Sequence, residues 1–151
     1  MFQISRRNFI QTCFAFASGL ISMNTGFAAR LTEHFSHEPL QNALDRLFGH
    51  QEILDTDQLR LQLPDTAENG AVVPIIISSE LQNIQRIYLL VEKNPTPLAA
   101  EFELTPWVSV YISARIKMAE SCHVLIIAQQ ESQLFKTRQW VNVVQGGCGT
   151  G

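Results

Sequence analysis

The chain has 151 residues, of which 46% are hydrophobic and 17% are charged. That is enough length and apolar content to fill the core of about one domain, which excludes a disordered protein. The 14 acidic residues outnumber the 11 Lys and Arg, giving a formal net charge of −3. This balance, with no basic cluster, excludes a nucleic-acid-binding protein and gives no reason to expect binding to anionic membranes.

The first 28 residues have the features of an export signal. Arg6 and Arg7 form the arginine pair of the twin-arginine pattern, and a mostly apolar stretch follows at 9–20. That stretch is too short to span a bilayer comfortably. Gly26 and Ala28 suit a signal peptidase site, so we expect cleavage after Ala28 and a periplasmic mature chain that is not bound to the membrane. The alternative is a short amphipathic helix that begins a cytosolic protein.

Removal of this segment changes the charge and the cysteine content of the mature chain. Loss of Arg6 and Arg7 without any acidic residue takes the net charge from −3 to −5. Loss of Cys13 leaves Cys122 and Cys148. Because exported proteins meet an oxidising compartment in which thiols usually pair, a disulfide competes with a free thiol as the interpretation of either cysteine.

One helix is predicted at 39–48, near the start of a domain that we place at 29–145. Apolar residues recur there at the three- and four-residue spacing that forms a single apolar helix face. Pro39 suits the first helical turn, and Gly49 is a natural stop.

After Gly49 the apolar pattern changes to a period of two, which is typical of β-strands. Pro, Gly and Asn residues separate the strands, as in the turn at 68–70 and the loop at 94–97. Seven short strands are predicted, at 58–63, 72–77, 84–91, 99–104, 107–116, 123–128 and 135–144. With no alternation of strand and helix, the pattern predicts a mainly β protein, an immunoglobulin-like antiparallel β-sandwich preceded by one helix.

The segment 146–151 is predicted to be a flexible arm that carries Cys148. Gly146, Gly147 and Gly149 flank the cysteine without bulk, and glycine has the largest backbone entropy to lose on ordering. Four residues from Gln145 to Cys148 reach about 10 Å when extended. No Lys, Arg or His lies in the last twelve residues to activate the thiol, which favours an attachment point over a catalyst.

Two disulfides compete with this interpretation of Cys148. If a hairpin turn at 131–133 joins the last two strands, Cys122 faces position 142, and Cys148 lies six residues further along the chain. That is roughly 20 Å of extended strand, whereas bridged Cα atoms come within about 7 Å. An intramolecular bridge therefore needs the arm to fold back, and we expect Cys122 to be a small buried hydrophobe. A bridge between the Cys148 residues of two molecules is sterically easier.

The sequence offers no metal site and no catalytic group. Cys122 and His123 are adjacent rather than spaced, and Met118 precedes them, unlike a blue-copper site. The other histidines lie in or beside the helical region and are expected to have structural or surface roles; they are His34, His37 and His50. Trp107 and Trp140 are expected in the core or at an interface.

Four short segments, in this order, are similar to motifs of the SoxY family, the carrier proteins of bacterial thiosulfate oxidation. They read ENGAVVP at 68–74, EKNPTP at 92–97, RIKMA at 115–119 and GGCG at 146–149. The twin-arginine signal is also usual in that family. One departure is Thr150, which stands between Gly149 and Gly151 where the family commonly ends in two glycines. Thr150 is stiffer, and we expect it to affect the fit of the arm to partner channels.

The resemblance implies a function and a set of partners. Members of the family form a heterodimer with SoxZ, a small β-sandwich protein, and carry sulfur on the terminal cysteine, here Cys148. A haem enzyme joins thiosulfate to the cysteine oxidatively, and a hydrolase then releases sulfate. No cofactor is implied beyond the covalent sulfur adduct on Cys148.

We therefore expect a non-enzymatic periplasmic carrier that presents sulfur intermediates on Cys148 to sulfur-oxidising enzymes. The alternative hypothesis is an exported β-sandwich interaction module whose Cys148 forms an intermolecular disulfide. The two differ in whether sulfur compounds modify the thiol.

Overall fold

The computed structural model describes residues 34–105 and 107–144. Several features expected from the sequence lie outside these ranges: the signal at 1–28 with Arg6 and Arg7, and the arm at 146–151 with Gly146, Gly147, Cys148 and Gly149. The export signal, the domain boundaries and the arm therefore stay predictions. In the described ranges, no helix is long and apolar enough to span a bilayer.

The predicted helix is confirmed as α1, Leu40–Phe48, which starts one residue later than expected. Pro39 is the N-cap, with an extended backbone at φ −63° and ψ 150°. Gly49 ends the helix with a φ of 61°, a left-handed value that favours glycine, and its N–H donates to the Asp45 carbonyl at 2.8 Å. The helix turns Ala43 and Phe48 inward, as its apolar spacing predicts.

Nine strands follow the helix in the part of the chain that the structure describes, and they form two stacked sheets, which confirms a mainly β sandwich. Their bounds are β1 Ile53–Asp55, β2 Leu59–Gln62, β3 Thr66–Ala67, β4 Val73–Ser79, β5 Arg86–Val91, β6 Leu98–Glu103, β7 Tyr111–Ile116, β8 Cys122–Gln130 and β9 Gln133–Val143. The large sheet has the order β1-β9-β8-β5-β6, with β3 also paired to β9. The small sheet has the order β2-β4-β7.

Two strands were not predicted, and both pair with β9 in parallel rather than antiparallel fashion. They are β1, of three residues, and β3, of two. Segments this short contain at most one apolar alternation, so periodicity cannot reveal them. All other pairings are antiparallel, as expected.

Two expected details are wrong. The strand expected at 107–116 begins only at Tyr111. Trp107 is 95% exposed, so of the two expected placements the core is wrong and an interface stays a prediction. The hairpin between β8 and β9 turns through two residues, because Gln130 pairs with Gln133, so Cys122 faces Val141 rather than position 142. Glu131 permits this tight turn with a φ of 53°.

The core has two parts because β5 and β8 are apolar on both faces. Residues that point between the sheets form an inner cluster, with members such as Ile87, Leu89, Val124, Ile126, Val73, Ile75 and Ile77. Residues on the other face of the large sheet form an outer cluster under α1: Tyr88, Leu90, Leu98, Leu125, Ile127 and Leu134 with Phe48. The Phe48 and Tyr88 rings meet edge to face at 4.9 Å, which fixes the helix on the sheet.

Candidate functional site

The end of β9 is held on both sides as it leads toward the cysteine-bearing segment. The N–H of Asn142 donates to the Asp65 carbonyl at 2.9 Å, and that of Val144 donates to the Ala67 carbonyl at 3.0 Å. On the other side, the N–H of Val143 donates to Ser121 Oγ at 2.8 Å. The short parallel strand β3 thus anchors the chain as far as Val144, four residues before Cys148. We call this end of β9 the arm root.

Gly70 lets the 68–74 segment pack directly against the arm root. Its carbonyl accepts the Met118 N–H at 2.7 Å. A Cβ at position 70 would lie 2.5 Å from the Met118 carbonyl oxygen and 2.8 Å from Val143 Cγ1, closer than real Cβ atoms come to such atoms. Only glycine fits this approach without a shift of the backbone.

Asn94 joins the 92–97 loop to the segment that follows β7. Its amide nitrogen donates to the Lys117 carbonyl at 2.8 Å, and its Oδ1 accepts the Ala119 N–H at 2.9 Å. One side chain therefore satisfies two loop backbone groups, which holds the two loops in a fixed relation.

These loops surround a shallow depression of about 520 Å³ beside the arm root. Its lining residues come from three of the four segments quoted above as motifs: Gly70, Ala71, Asn94, Pro95, Thr96, Lys117, Met118 and Ala119. Separate motifs in the sequence thus form one surface next to the end of β9. Gly70 and Lys117 were not identified as site residues from the sequence, although two of the quoted motifs contain them.

Cys122 is a buried core residue, as expected. It has no exposed surface, belongs to the inner cluster and is a free thiol. Burial raises the pKa of the thiol, because the thiolate would lose its hydration. Since disulfide exchange requires an accessible thiolate, a thiol buried in this way reacts poorly with sulfur compounds in solution.

The histidines that the structure describes are not arranged as metal ligands. His123 Nδ1 lies 3.1 Å from Glu92 Oε2, and its ring meets Trp140 edge to face at 5.0 Å. His34 Nδ1 lies 2.9 Å from Glu101 Oε2. Among residues 34–105 and 107–144, no group of three or more His, Cys, Asp or Glu is placed to hold a metal ion. The histidine pairs instead tie neighbouring chain segments together.

Glu92 is expected to make stability depend on pH in the acid range. The pKa of Glu92 lies below its ordinary value of 4.5, first because its carboxylate accepts the backbone N–H of His123, and further because it pairs with the His123 ring. A lowered folded-state pKa adds stability above about pH 4.5 that is lost as the pH falls through the folded value. Glu92→Gln should therefore flatten the decline in unfolding free energy between pH 5 and 3, by less than about 1 kcal/mol because the carboxylate is 38% exposed.

Urea unfolding of the wild type and of Glu92→Gln between pH 5 and 3 measures this difference in unfolding free energy. Glu52→Gln, at an exposed acid elsewhere on the sandwich, is the matched control. An identical acid-side decline in the Glu92→Gln variant and the wild type would contradict the prediction.

The fold and the arm root define a class of protein: a small β-sandwich whose last strand is anchored just before a cysteine-bearing terminal segment. A sequence model of the family described as "Sulfur oxidation protein SoxY" matches residues 44–148. The chain therefore belongs to the SoxY family.

A solved structure supports the same assignment. The chain resembles the structure of the sulfur carrier protein SoxY from Chlorobium limicola f thiosulfatophilum, with a TM-score of 0.64 and 26% sequence identity. The match covers 70% of this chain and 96% of that one. No match was found among curated proteins.

Proposed function

We propose that this chain is a periplasmic, non-enzymatic carrier that holds thiosulfate-derived sulfur covalently on Cys148. The observation that carries the proposal is that the family match runs through position 148 and so includes this cysteine. The burial of Cys122 supports it, because the other cysteine of the exported chain is withdrawn into the core. From the anchored Val144, four residues to Cys148 extend at most about 13 Å, enough to enter a narrow active site.

In the proposed carrier reaction, partner enzymes accept the electrons and activate the water. In loading, the Cys148 thiol loses a proton, a bond forms between its sulfur and the outer sulfur of thiosulfate, and two electrons pass to a haem enzyme. In release, water attacks the sulfonate group of the adduct, and a hydrolase frees sulfate and one proton. Cys148 is left as a persulfide, which further partners process.

The proposed assembly is a heterodimer with a SoxZ-like β-sandwich subunit, which the haem enzyme and the hydrolase visit in turn. In this arrangement the chain binds no resident cofactor, and the twin-arginine signal with Arg6 and Arg7 delivers it to the periplasm. Thr150 makes the end of the arm bulkier than two glycines do, and so tunes its fit to each partner.

Intact mass spectrometry of the protein purified from its native periplasm, before and after reduction, tests the proposal. We expect a reducible adduct with the mass of a sulfur-containing group, and peptide mapping should place it on Cys148. Incubation with thiosulfate and the haem enzyme should increase the adduct.

Two results would count against the carrier. A mass lower by two hydrogens would indicate an internal disulfide. A simple Cys148-linked dimer that does not respond to thiosulfate or to the partner enzymes would favour the interaction module.

A further inference from the structure

The small sheet leaves one flank of the large sheet incompletely covered. At one side of the sandwich β2 lies by β9, where Gln139 Nε2 donates to the Leu63 carbonyl at 3.0 Å. At the other side, β7 is the last strand of the small sheet and β6 is the last strand of the large one. Ala100 and Phe102 of β6 point toward the inner cluster, yet they are only half-buried.

An apolar slot of about 300 Å³ opens between β6 and β7 at this flank. Its lining is mostly apolar, with a polar and basic rim: Leu89, Ala99, Ala100, Phe102, Ala114 and Ile116, with Asn94, Arg115 and Lys117. It shares Asn94 and Lys117 with the depression beside the arm root, so the two surfaces adjoin.

The edge of β7 is suited to accept another strand. Among residues 34–105 and 107–144, no strand pairs with the outer edge of β7 or of β6. The pairing of β6 with β5 shifts register at Leu89 and Leu90, which leaves Ala99 as an extra residue and disrupts the β6 edge. In contrast, β7 pairs with β4 in unbroken register over six residues, so its outer backbone groups form a regular template.

The charges at this edge indicate the chemistry of the occupant. Arg115 and Lys117 are both exposed, and within the described residues neither lies in ion-pair distance of a carboxylate. Two unpaired cations on an otherwise acidic chain favour an acidic segment. They disfavour a second copy of this chain, since edge-to-edge pairing of two copies would bring like charges together.

We propose that the slot is the docking site for an extended, acidic segment of the partner subunit, which adds to the free edge of β7 as a fourth strand of the small sheet. Alternate side chains of that segment are small or apolar and cover Ala100 and Phe102, and the others carry carboxylates beside Arg115 and Lys117. The inference rests on the proposed function, which supplies the β-sandwich partner.

Amide hydrogen exchange of the chain with and without its β-sandwich partner tests this placement. We expect alternate amides of Tyr111–Ile116, those directed away from β4, to exchange about tenfold or more slowly in the complex. The edge strand β2, Leu59–Gln62, is the internal control at the opposite end of the same sheet and should not change.

Charge reversal provides the second measurement. The double variant Arg115→Glu with Lys117→Glu should raise the dissociation constant of the complex about tenfold or more. Arg138→Glu, at an exposed cation of β9, should change that constant by less than about twofold. Thermal unfolding checks that the variants are folded.

Each outcome separates the inference from the function on which it rests. If the partner binds, but the β7 amides are not protected and the double variant keeps its affinity, the docking site is overturned and the heterodimer is left intact. If the β7 amides are protected without the partner, and more so at higher protein concentration, the occupant is a second copy of this chain. That result also overturns the inference. Absence of any association overturns the heterodimer together with the inference, whereas loss of the Cys148 adduct alone bears only on the carrier function.

Discussion

Replacement of Cys148 by serine should abolish the thiosulfate-derived adduct completely and leave the fold unchanged. The serine hydroxyl is a far weaker nucleophile than a thiolate and forms no bond that corresponds to a persulfide. Position 148 lies four residues after Val144, whose N–H is the last backbone donor anchoring β9 among the residues that the structure describes. We therefore expect the thermal midpoint to stay within about 2 °C of the wild type, and calorimetry with intact mass spectrometry measures both effects.

Cys122→Ser is the reciprocal control, because it should lower the stability of the fold and leave the adduct on Cys148. A hydroxyl at this fully buried position is surrounded by apolar side chains, with the Lys93 backbone as a polar contact, and should cost about 1–3 kcal/mol, roughly 3–9 °C in the thermal midpoint. The adduct should still form on Cys148 in the fraction that folds. A large loss of stability in Cys148→Ser, or loss of the adduct in well-folded Cys122→Ser, would point to a disulfide between the two cysteines and contradict the carrier.

The main part of the fold could be predicted because its central strands carry an unambiguous pattern. The middle of β5 and of β8, residues 87–91 and 124–128, is apolar throughout, as expected for strands that are covered on both faces, here by the small sheet and by α1. The helix was equally clear, since Pro39 and Gly49 mark its two ends in the sequence itself.

The missed elements depend on contacts between distant residues. The two-residue strand β3 exists because the end of β9 offers free backbone groups, and nothing within Thr66–Ala67 signals this. Trp107 was expected in a strand because aromatic residues favour sheets, but the strand starts only at Tyr111, and the tryptophan is exposed.

For the candidate site, too, the sequence predicts local features but not the contacts between distant residues. The motif segments could be recognised singly, but their meeting beside the arm root depends on how β4, β7 and β9 stack. Asn94 and Lys117, for example, are 23 residues apart and touch through one amide hydrogen bond. Spacing along the chain predicts such a contact only when the sheet order is known.

Because the 68–74 segment packs directly against the arm root, we expect a second large effect, on stability, from a substitution at Gly70. Gly70→Ala places a Cβ 2.5 Å from the Met118 carbonyl oxygen, which belongs to the backbone and cannot rotate away. The loop must move, and the bond from the Met118 N–H to the Gly70 carbonyl weakens with it. Overpacking of this kind costs about 1–3 kcal/mol, and urea unfolding at neutral pH measures the loss.

Two control variants separate close packing at position 70 from a general effect of substitution in this segment and from backbone strain at a glycine. Ala71→Ser changes the exposed neighbour and should alter stability by less than about 0.5 kcal/mol. Gly49→Ala meets no atom within 4 Å, so any loss there comes from its φ of 61° alone. Because Val143 also contacts position 70, Gly70→Ala should in addition speed amide exchange at Val144, whereas Gly49→Ala should not. Wild-type stability together with unchanged exchange at Val144 would show that the 68–74 segment does not support the arm root.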